Sequence, residues 1–458
     1  MKAKWLPISA AVALALGSVS ASAVDFHGYA RSGINYSAQG GNAYCLDKQL
    51  VGRLGNECDT YMELGFSETI FDKADNKFAF HTTLAFDTKG DRNGGDNWGD
   101  KRFDYQGNNW QDNREGKGAW SSIRTGVEEV YADYKMPSGI NLWAGKRFYQ
   151  RKEIHILDYY YMNNSGTGFG VEDIPVGDLG SVSVALLKSQ TPTDHDGVDA
   201  DINSYKLDAR WNSIPLWADG TLDAQFVYSW QKLTDNQKED PSLRSNNSFL
   251  TMLEWTQGNI LGGFNKLSFT FANNGFDNIG IGTRGADSAA MNAPYPTRGK
   301  GYRFIDWGVF EQQSWNLGYA LVFAHLHIDD IKKTNPNGEY MYGGWTAGDR
   351  GNNNYFTIAV RPGYKWSDFT STLLEVGYSK VPATSWTTMR ENYKERKHLS
   401  ATKVTLAQQW SPKSTFWARP SIRVFTSWLG GDLMENTQTG YKNDHHEVVL
   451  GAQMEAWW

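Results

Sequence analysis

The stretch Trp143-Ala-Gly-Lys-Arg-Phe-Tyr-Gln-Arg-Lys-Glu-Ile-His-Ile-Leu-Asp-Tyr-Tyr-Tyr161 gathers four cations, two carboxylates and a run of three tyrosines into less than twenty residues. Buried charges need partners, so Lys146, Arg147, Arg151 and Lys152 together do not suit an ordinary soluble core. A purely solvated loop has no use for Phe148, Tyr149 and Tyr159 to Tyr161. Flat aromatic faces beside charged hydrogen-bonding groups suit a polyhydroxylated ring, which has an apolar face and a rim of hydroxyls. The competing reading of these residues alone is a charged surface hairpin with some aromatic packing.

The elements around this stretch favour the first reading. Lys2 and Lys4 precede an apolar run from Trp5 to Leu16, and Ala21-Ser22-Ala23 forms a small-residue cleavage site. Residues 1–23 therefore read as a secretory signal peptide, leaving one domain over residues 24–458. Beyond it, no stretch approaches the roughly 20 apolar residues of a membrane helix. Mean hydropathy is low at -0.56, and aromatic residues make up 14% of the chain, with 19 Trp. A membrane β-barrel hides its hydrophobicity in this way, because lipid-facing and lumen-facing residues alternate. A soluble carbohydrate binder is the other class this composition allows. The net charge of -6 becomes more negative without Lys2 and Lys4, and no basic patch points to nucleic acid. No cofactor or metal is implied. Cys45 and Cys58 lack metal-ligand spacing. In an exported, oxidising setting they are expected to pair, closing a short loop worth about 3 kcal/mol.

Period-two patterning then runs the length of the domain. Phe26, Gly28, Ala30, Ser32 and Ile34 share one parity; Tyr29 and Arg31 share the other. Met62, Leu64 and Phe66 oppose Tyr61 and Glu63. Phe78, Phe80, Thr82, Leu84 and Phe86 set the next apolar face. Residues 89–118 form a long polar loop, whereas Pro137-Ser138-Gly139 is a short turn. Further strands are expected as far as Thr415 to Ser427 and the closing segment. There Val448, Leu450, Ala452, Met454, Ala456 and Trp458 alternate with Glu447, Val449, Gly451, Gln453, Glu455 and Trp457. Long loops on one side, short turns on the other and a terminal aromatic fit an all-β, antiparallel transmembrane barrel. About 24 residues per strand-plus-turn gives roughly 18 strands.

Carried through, the parity places Tyr29 beside Arg31, Tyr61 beside Glu63, Trp417 beside Arg419 and Arg423, and Trp457 beside Glu455, all on the wet face. Rings among charges on a lumen wall form a rail along which sugars could slide, with Arg and Glu exchanging hydrogen bonds with hydroxyls. Some of these rings could instead pack against inward-folded loops.

With these residues in hand, the chain resembles the maltoporin family, the maltodextrin-selective porins of Gram-negative outer membranes. The matching runs are Val24-Asp-Phe-His-Gly-Tyr-Ala-Arg-Ser-Gly33, Arg53-Leu-Gly-Asn-Glu-Cys58, Trp143-Ala-Gly-Lys-Arg-Phe-Tyr-Gln-Arg151, Gly263-Phe-Asn-Lys266, Thr405-Leu-Ala-Gln-Gln-Trp410 and Gly451-Ala-Gln-Met-Glu455 with Trp457-Trp458. They keep one order from mature start to end. The resemblance implies a homotrimer of 18-stranded barrels in outer-membrane lipid, with a third loop folded inward as a constriction. It places the aromatic slide on Tyr29, Tyr61, Phe264, Trp417 and Trp457, with Trp120 as the second-loop tryptophan and Trp98 and Trp110 as rivals for that role. It makes Tyr160 the constriction tyrosine and puts the polar tracks on Arg31, Arg53, Glu63, Arg151, Glu153, Asp158 and Asn265. It also implies the Cys45–Cys58 disulfide of the first loop. An ungapped reading sets Glu128 where the family has a pore arginine, with Arg124 nearby. The implied activity is facilitated diffusion of maltose and maltodextrins, with passage of ions and small solutes and a phage-receptor role for surface loops as an open option. A general-diffusion porin or a porin preferring another oligosaccharide such as sucrose is the alternative. A glycoside hydrolase would need two carboxylates about 5 to 10 Å apart across a cleft. Glu63, Glu153 and Asp158 are the candidates, and the arginines around them are expected to keep them ionised.

Overall fold

The computed structural model describes residues 24–458 except 41–42, 44, 58–59, 89–122, 193–200, 218, 240–246, 277–278, 280–298, 329–350, 383–397 and 434–445. The expected signal peptide, Cys58, Trp98, Trp110 and Trp120 lie outside the described residues, as does the side chain of Arg124.

Eighteen antiparallel strands form one sheet. The first, Asp25–Ser37, pairs on one edge with Tyr61–Lys73 and on the other with the last, His446–Trp457, so the sheet closes on itself. Closure is what a bilayer demands, because no water is present to satisfy the free N–H and C=O groups of an edge strand. A typical strand here has 13 residues. At about 3.4 Å per residue and a tilt near 40°, that spans the roughly 30 Å hydrocarbon core.

The alternation in the sequence maps onto the two faces of this wall. Phe26, Ile34 and Tyr36 are exposed on the outside of the first strand, and Leu450, Met454 and Trp458 on the outside of the last. Val449, Gln453 and Glu455, of opposite parity, are buried inside. Most connections at the end bearing both termini are short, as at Ala74–Asp75 between paired strands. Trp217, Trp315, Trp366, Trp410 and Trp458 are exposed near that end, where amphipathic rings sit at a membrane–water interface.

One strand is misread by periodicity. The ladder expected over Thr415 to Ser427 begins only at Ser421 and runs to Gly430. The segment 411–420 is a connection instead, bounded by Pro412 and Pro420. Proline supplies no N–H to a ladder, and two of them so close together favour a turn. Trp417 therefore stands on a turn rather than on a strand face.

The interior is not uniformly wet. Val227, Leu250, Met252, Ile305, Val309, Ala320 and Val322 point inward and are buried. Against this patch lies the loop that follows the strand Asn141–Arg147. Within it, Lys152–Ile154 and Tyr159–Met162 pair as a small hairpin, joined by a turn over His155–Leu157. Asp158 closes that turn with φ 49°, a left-handed conformation that a short polar side chain tolerates. Ile154, Leu157, Tyr159, Tyr161 and Met162 are wholly buried on the wall. Tyr159 Oη accepts from Arg303 Nη1 at 2.6 Å, and Tyr161 Oη donates to Glu254 at 2.5 Å. Of the three consecutive tyrosines, two anchor the loop, and the alternation turns Tyr160 the other way.

The first loop also enters the barrel. Its single helical turn, Lys48–Val51, is capped by Asp47, whose side chain accepts from Gln49 N at 2.9 Å. Gly377 on the wall lets this turn approach; a Cβ there would sit 2.1 Å from Val51 O. Just beyond, Glu375 accepts from Leu54 N at 2.9 Å, Lys403 Nζ at 2.7 Å and Arg361 Nε at 2.7 Å. All three charged side chains are buried.

Replacing Glu375 by Ala leaves Lys403 and Arg361 buried without their counter-ion. The variant should lose about 3–5 kcal/mol of stability in urea unfolding from lipid vesicles, and the first loop should become sensitive to protease. Leu406, exposed on the lipid face, should cost about 2–4 kcal/mol when changed to Arg, as expected for a charge near the bilayer midplane. An unchanged urea midpoint for Leu406→Arg would place this strand's outer face elsewhere than in lipid.

Candidate functional site

The two inward loops and the adjoining wall bring most of the singled-out residues to one region. Tyr29 and Tyr61 lie on neighbouring strands with ring centroids 6.3 Å apart. Trp457 is the cross-strand partner of Tyr29 on its other side. His155, at the hairpin turn, lies 5.6 Å from the Trp457 ring and 5.2 Å from Trp417. The turn carrying Trp417 thus still delivers its ring to the group. Four of the expected rings therefore follow one another, from Tyr61 and Tyr29 to Trp457 and Trp417, with His155 between the last two.

Charged groups hold these rings in place. Arg31 lies over Tyr61 at 5.0 Å, and Arg419 over Trp457 at 4.1 Å. Arg151 stacks on Phe148 at 3.5 Å and faces Tyr160 at 4.7 Å. A guanidinium over a ring face contributes about 0.5–2 kcal/mol and orients both partners. Tyr61 Oη donates to Glu63 at 2.5 Å, while Tyr29 Oη accepts from Arg53 Nη2 at 2.6 Å and donates to Glu455 at 3.3 Å.

Behind the rings runs a network of ion pairs. Arg53 reaches Glu57 at 2.6 Å and Glu455 at 3.0 Å. Glu455 also meets Arg419 at 2.6 Å and Arg423 at 3.2 Å. Asp158 meets Lys48 at 2.7 Å and Arg31 at 3.5 Å, and Arg31 meets Glu57 at 3.3 Å. Burial pulls the Asp158 carboxyl upward, but Lys48, Arg53 and Arg31 outweigh it and hold it well below the usual carboxylate range. Burial, with Arg53 alongside, pushes the His155 imidazole well below its ordinary value. The ring is neutral, set between Arg53 and Arg419, each 3.2 Å from one of its nitrogens.

Glu153 behaves differently from expectation. Burial, joined by the nearby Asp158, raises its carboxyl to about 7, and Arg53 and Arg151 do not offset this. Arginines near a carboxyl do not guarantee its ionisation when desolvation is the larger effect.

Two expected residues stand apart. Phe264 faces the interior but packs on Trp307, with centroids 5.0 Å apart and rings near perpendicular. Asn265 does not face the lumen. Strand alternation turns it to the side opposite Phe264 and Lys266, and its amide donates to Asp306 Oδ1 at 2.7 Å and to Tyr319 Oη at 2.6 Å. Glu128 lies at an irregularity. The register shifts between Thr83 and Leu84, so Glu128 and Glu129 both fall between the outward Val127 and Val130. Glu129 then supports the base of the constriction loop, accepting from Phe148 N at 2.8 Å and Thr83 Oγ1 at 2.7 Å. Cys45 accepts a weak hydrogen bond from Asn35 at 3.7 Å; its expected partner lies outside the described residues.

Sequence reading passed over Lys48, Glu57, His155 and Trp307. Trp307 was open to the same parity test, since it alternates with the outward Phe304 and Asp306. Lys48, Glu57 and His155 sit on loops, where no periodicity marks the inward side.

The described residues hold no cluster of three or more His, Cys, Asp or Glu suited to a metal ion. The comparisons point the same way as the wall. Residues 24–458 match the family model described as LamB porin. A maltoporin of Hahella chejuensis is 32% identical over 99% of this chain and 98% of its own length. Maltoporins of Photobacterium profundum and Vibrio cholerae are 33% and 32% identical over at least 94% of either chain. Among solved structures, Acinetobacter baumannii OccAB1 overlaps with a TM-score of 0.47 at 9% identity, over 95% of this chain and 96% of that one, too distant to bear on function. A closed eighteen-strand wall and a family match running from its first strand to its last make the chain a member of the LamB porin family, a sugar channel of the Gram-negative outer membrane and not an enzyme.

Proposed function

We propose that this channel passes maltose and maltodextrins by facilitated diffusion along a file of rings made by Tyr61, Tyr29, Trp457 and Trp417, with Phe264 farther along the wall. The observation that carries the reading is the file itself: Tyr61, Tyr29 and Trp457 on an inward face beside charged groups within reach of sugar hydroxyls, and Trp417 brought up to them by its turn. A glucose unit would lay its apolar face on a ring while Arg31, Arg53, Glu63, Arg151, Glu153 and Asp158 exchange hydrogen bonds with its rim. Moving by one unit replaces each contact with an equivalent one, so the barrier per step stays low. Tyr160, on the open side of the hairpin, sets the width against which the sugar presses. No covalent step and no energy source is required. The chain's likeness to maltoporins supports maltodextrins as the substrate class.

The same reading includes a homotrimer, with Trp120 entering a neighbouring subunit's vestibule, a Cys45–Cys58 bridge in the first loop, and passage of ions and small solutes.

In planar bilayers, maltohexaose should block the ion current saturably. Trp457→Ala should weaken that block roughly 3- to 10-fold, the worth of one lost ring contact, with open-channel conductance nearly intact. Equal block in the variant would take Trp457 off the path, and no saturable block in the parent protein would make this a general-diffusion pore. The second expectation concerns pH. With its carboxyl raised to about 7, Glu153 is neutral below that value and charged above it. The constriction therefore gains a negative charge as pH rises through that window. Cation-over-anion permeability from reversal potentials should rise between about pH 5 and about pH 9, and Glu153→Gln should flatten the step. A step of full size in that variant would assign it to another group.

A further inference from the structure

The outer face of three neighbouring strands, Gly299–Glu311, Trp315–Ile328 and Gly351–Lys365, carries a polar ladder at the end away from the short turns. Cross-strand register sets Lys300, His327 and Asn352 in one row, and Tyr302, His325 and Asn354 in the next. Phe304, Phe323 and Phe356 follow as the third row, where the apolar band begins. The polar rows are built rather than scattered. His325 Nδ1 lies 2.7 Å from Asn354 Oδ1, and His327 Nδ1 lies 2.9 Å from Asn352 Oδ1. Tyr302 stacks on His325 with centroids 5.1 Å apart. An Nδ1–H held by an asparagine oxygen fixes each ring and directs Nε2 away from that asparagine. Lys300 and Tyr302 are exposed beside them.

We propose that this face docks a phosphorylated glycolipid of the outer leaflet, independently of any sugar path through the lumen. The occupant follows from the order of the rows. Three rings in line offer a surface for acyl chains. Directly above them, an ammonium and two oriented imidazoles offer hydrogen bonds to phosphate oxygens, charge-assisted by the phosphate itself. The asparagine amides and Tyr302 Oη suit the hydroxyls of a sugar headgroup. A zwitterionic phospholipid would set an ammonium of its own against Lys300. A soluble anion would leave the ring row unused.

The test uses the whole protein, delipidated in detergent, titrated with a bisphosphorylated glucosamine-disaccharide lipid and with the same lipid stripped of phosphate. The parent should bind the phosphorylated form at least about tenfold more tightly, the worth of a charge-assisted hydrogen bond. The triple variant Lys300→Gln, His325→Gln, His327→Gln should fall to the level of the stripped lipid. Its urea midpoint and maltohexaose block should match the parent, since none of the three faces the lumen. Equal binding of the two lipids by the parent, or undiminished binding by a folded triple variant, would overturn the proposal. Full competition by inorganic phosphate at equal concentration would also overturn it, because the rings would then contribute nothing.

Discussion

One carboxylate, Glu455, ties together four of the elements that surround the ring file. It sits on the last strand and meets Arg53 from the first loop, Arg419 from the turn bearing Trp417, and Arg423 from the neighbouring strand. Tyr29 Oη from the first strand joins the same group. Guanidinium groups this deeply buried need a counter-ion, and their net contribution to stability is small once desolvation is counted. What the arrangement supplies is position. Arg419, held by Glu455, lies over Trp457, and Arg53, held by Glu455 and Glu57, orients Tyr29. The rings are therefore fixed by the charges beside them, and both belong to one construction.

The constriction loop depends on the same logic with a different anchor. Its hairpin is too short to be stable by itself, since isolated two-stranded hairpins are marginal in water. It persists because Ile154, Leu157, Tyr159, Tyr161 and Met162 bury against an apolar patch on the inner wall, while Arg303 and Glu254 satisfy the two tyrosine hydroxyls. The barrel thus gives up part of its polar lining to hold the loop, and the face of the loop turned away from that patch carries Glu153 and Tyr160. A carboxyl on such a loop is desolvated from below by the packed hairpin. That explains why Glu153 titrates near neutrality while Asp158, met directly by Lys48 and Arg31, does not.

The wall was legible because its physics has period two. Phe26 against Tyr29, or Leu450 against Glu455, separates lipid from lumen with no further information, and the closing strand obeys it to Trp458. Legibility ended where that period did. Two prolines removed the strand expected around Trp417. The irregularity opposite Thr83 turned Glu128 and Glu129 the same way, which an ungapped count cannot see. Asn265 was assigned to the lumen by likeness of a four-residue run, although its neighbour Phe264 already occupied the inward parity. Loop residues such as His155 and Glu57 carry no alternation, and their inward placement depends on packing against strands hundreds of residues distant, as Leu54 depends on Glu375.

The rigidity of this arrangement bears on how a sugar could pass. A solute that must move has to find each contact already made, because ordering a loose side chain at every step would add its entropy to every barrier. Tyr29, Tyr61 and Trp457 each have a charged partner that fixes the ring before any sugar arrives. The charges are in turn paired with one another, so a hydroxyl entering between Arg31 and Asp158 would exchange one hydrogen bond for another rather than meet a bare ion. Such exchanges are close to neutral in free energy. In the proposed path this is the property that keeps binding weak enough for release at the far end.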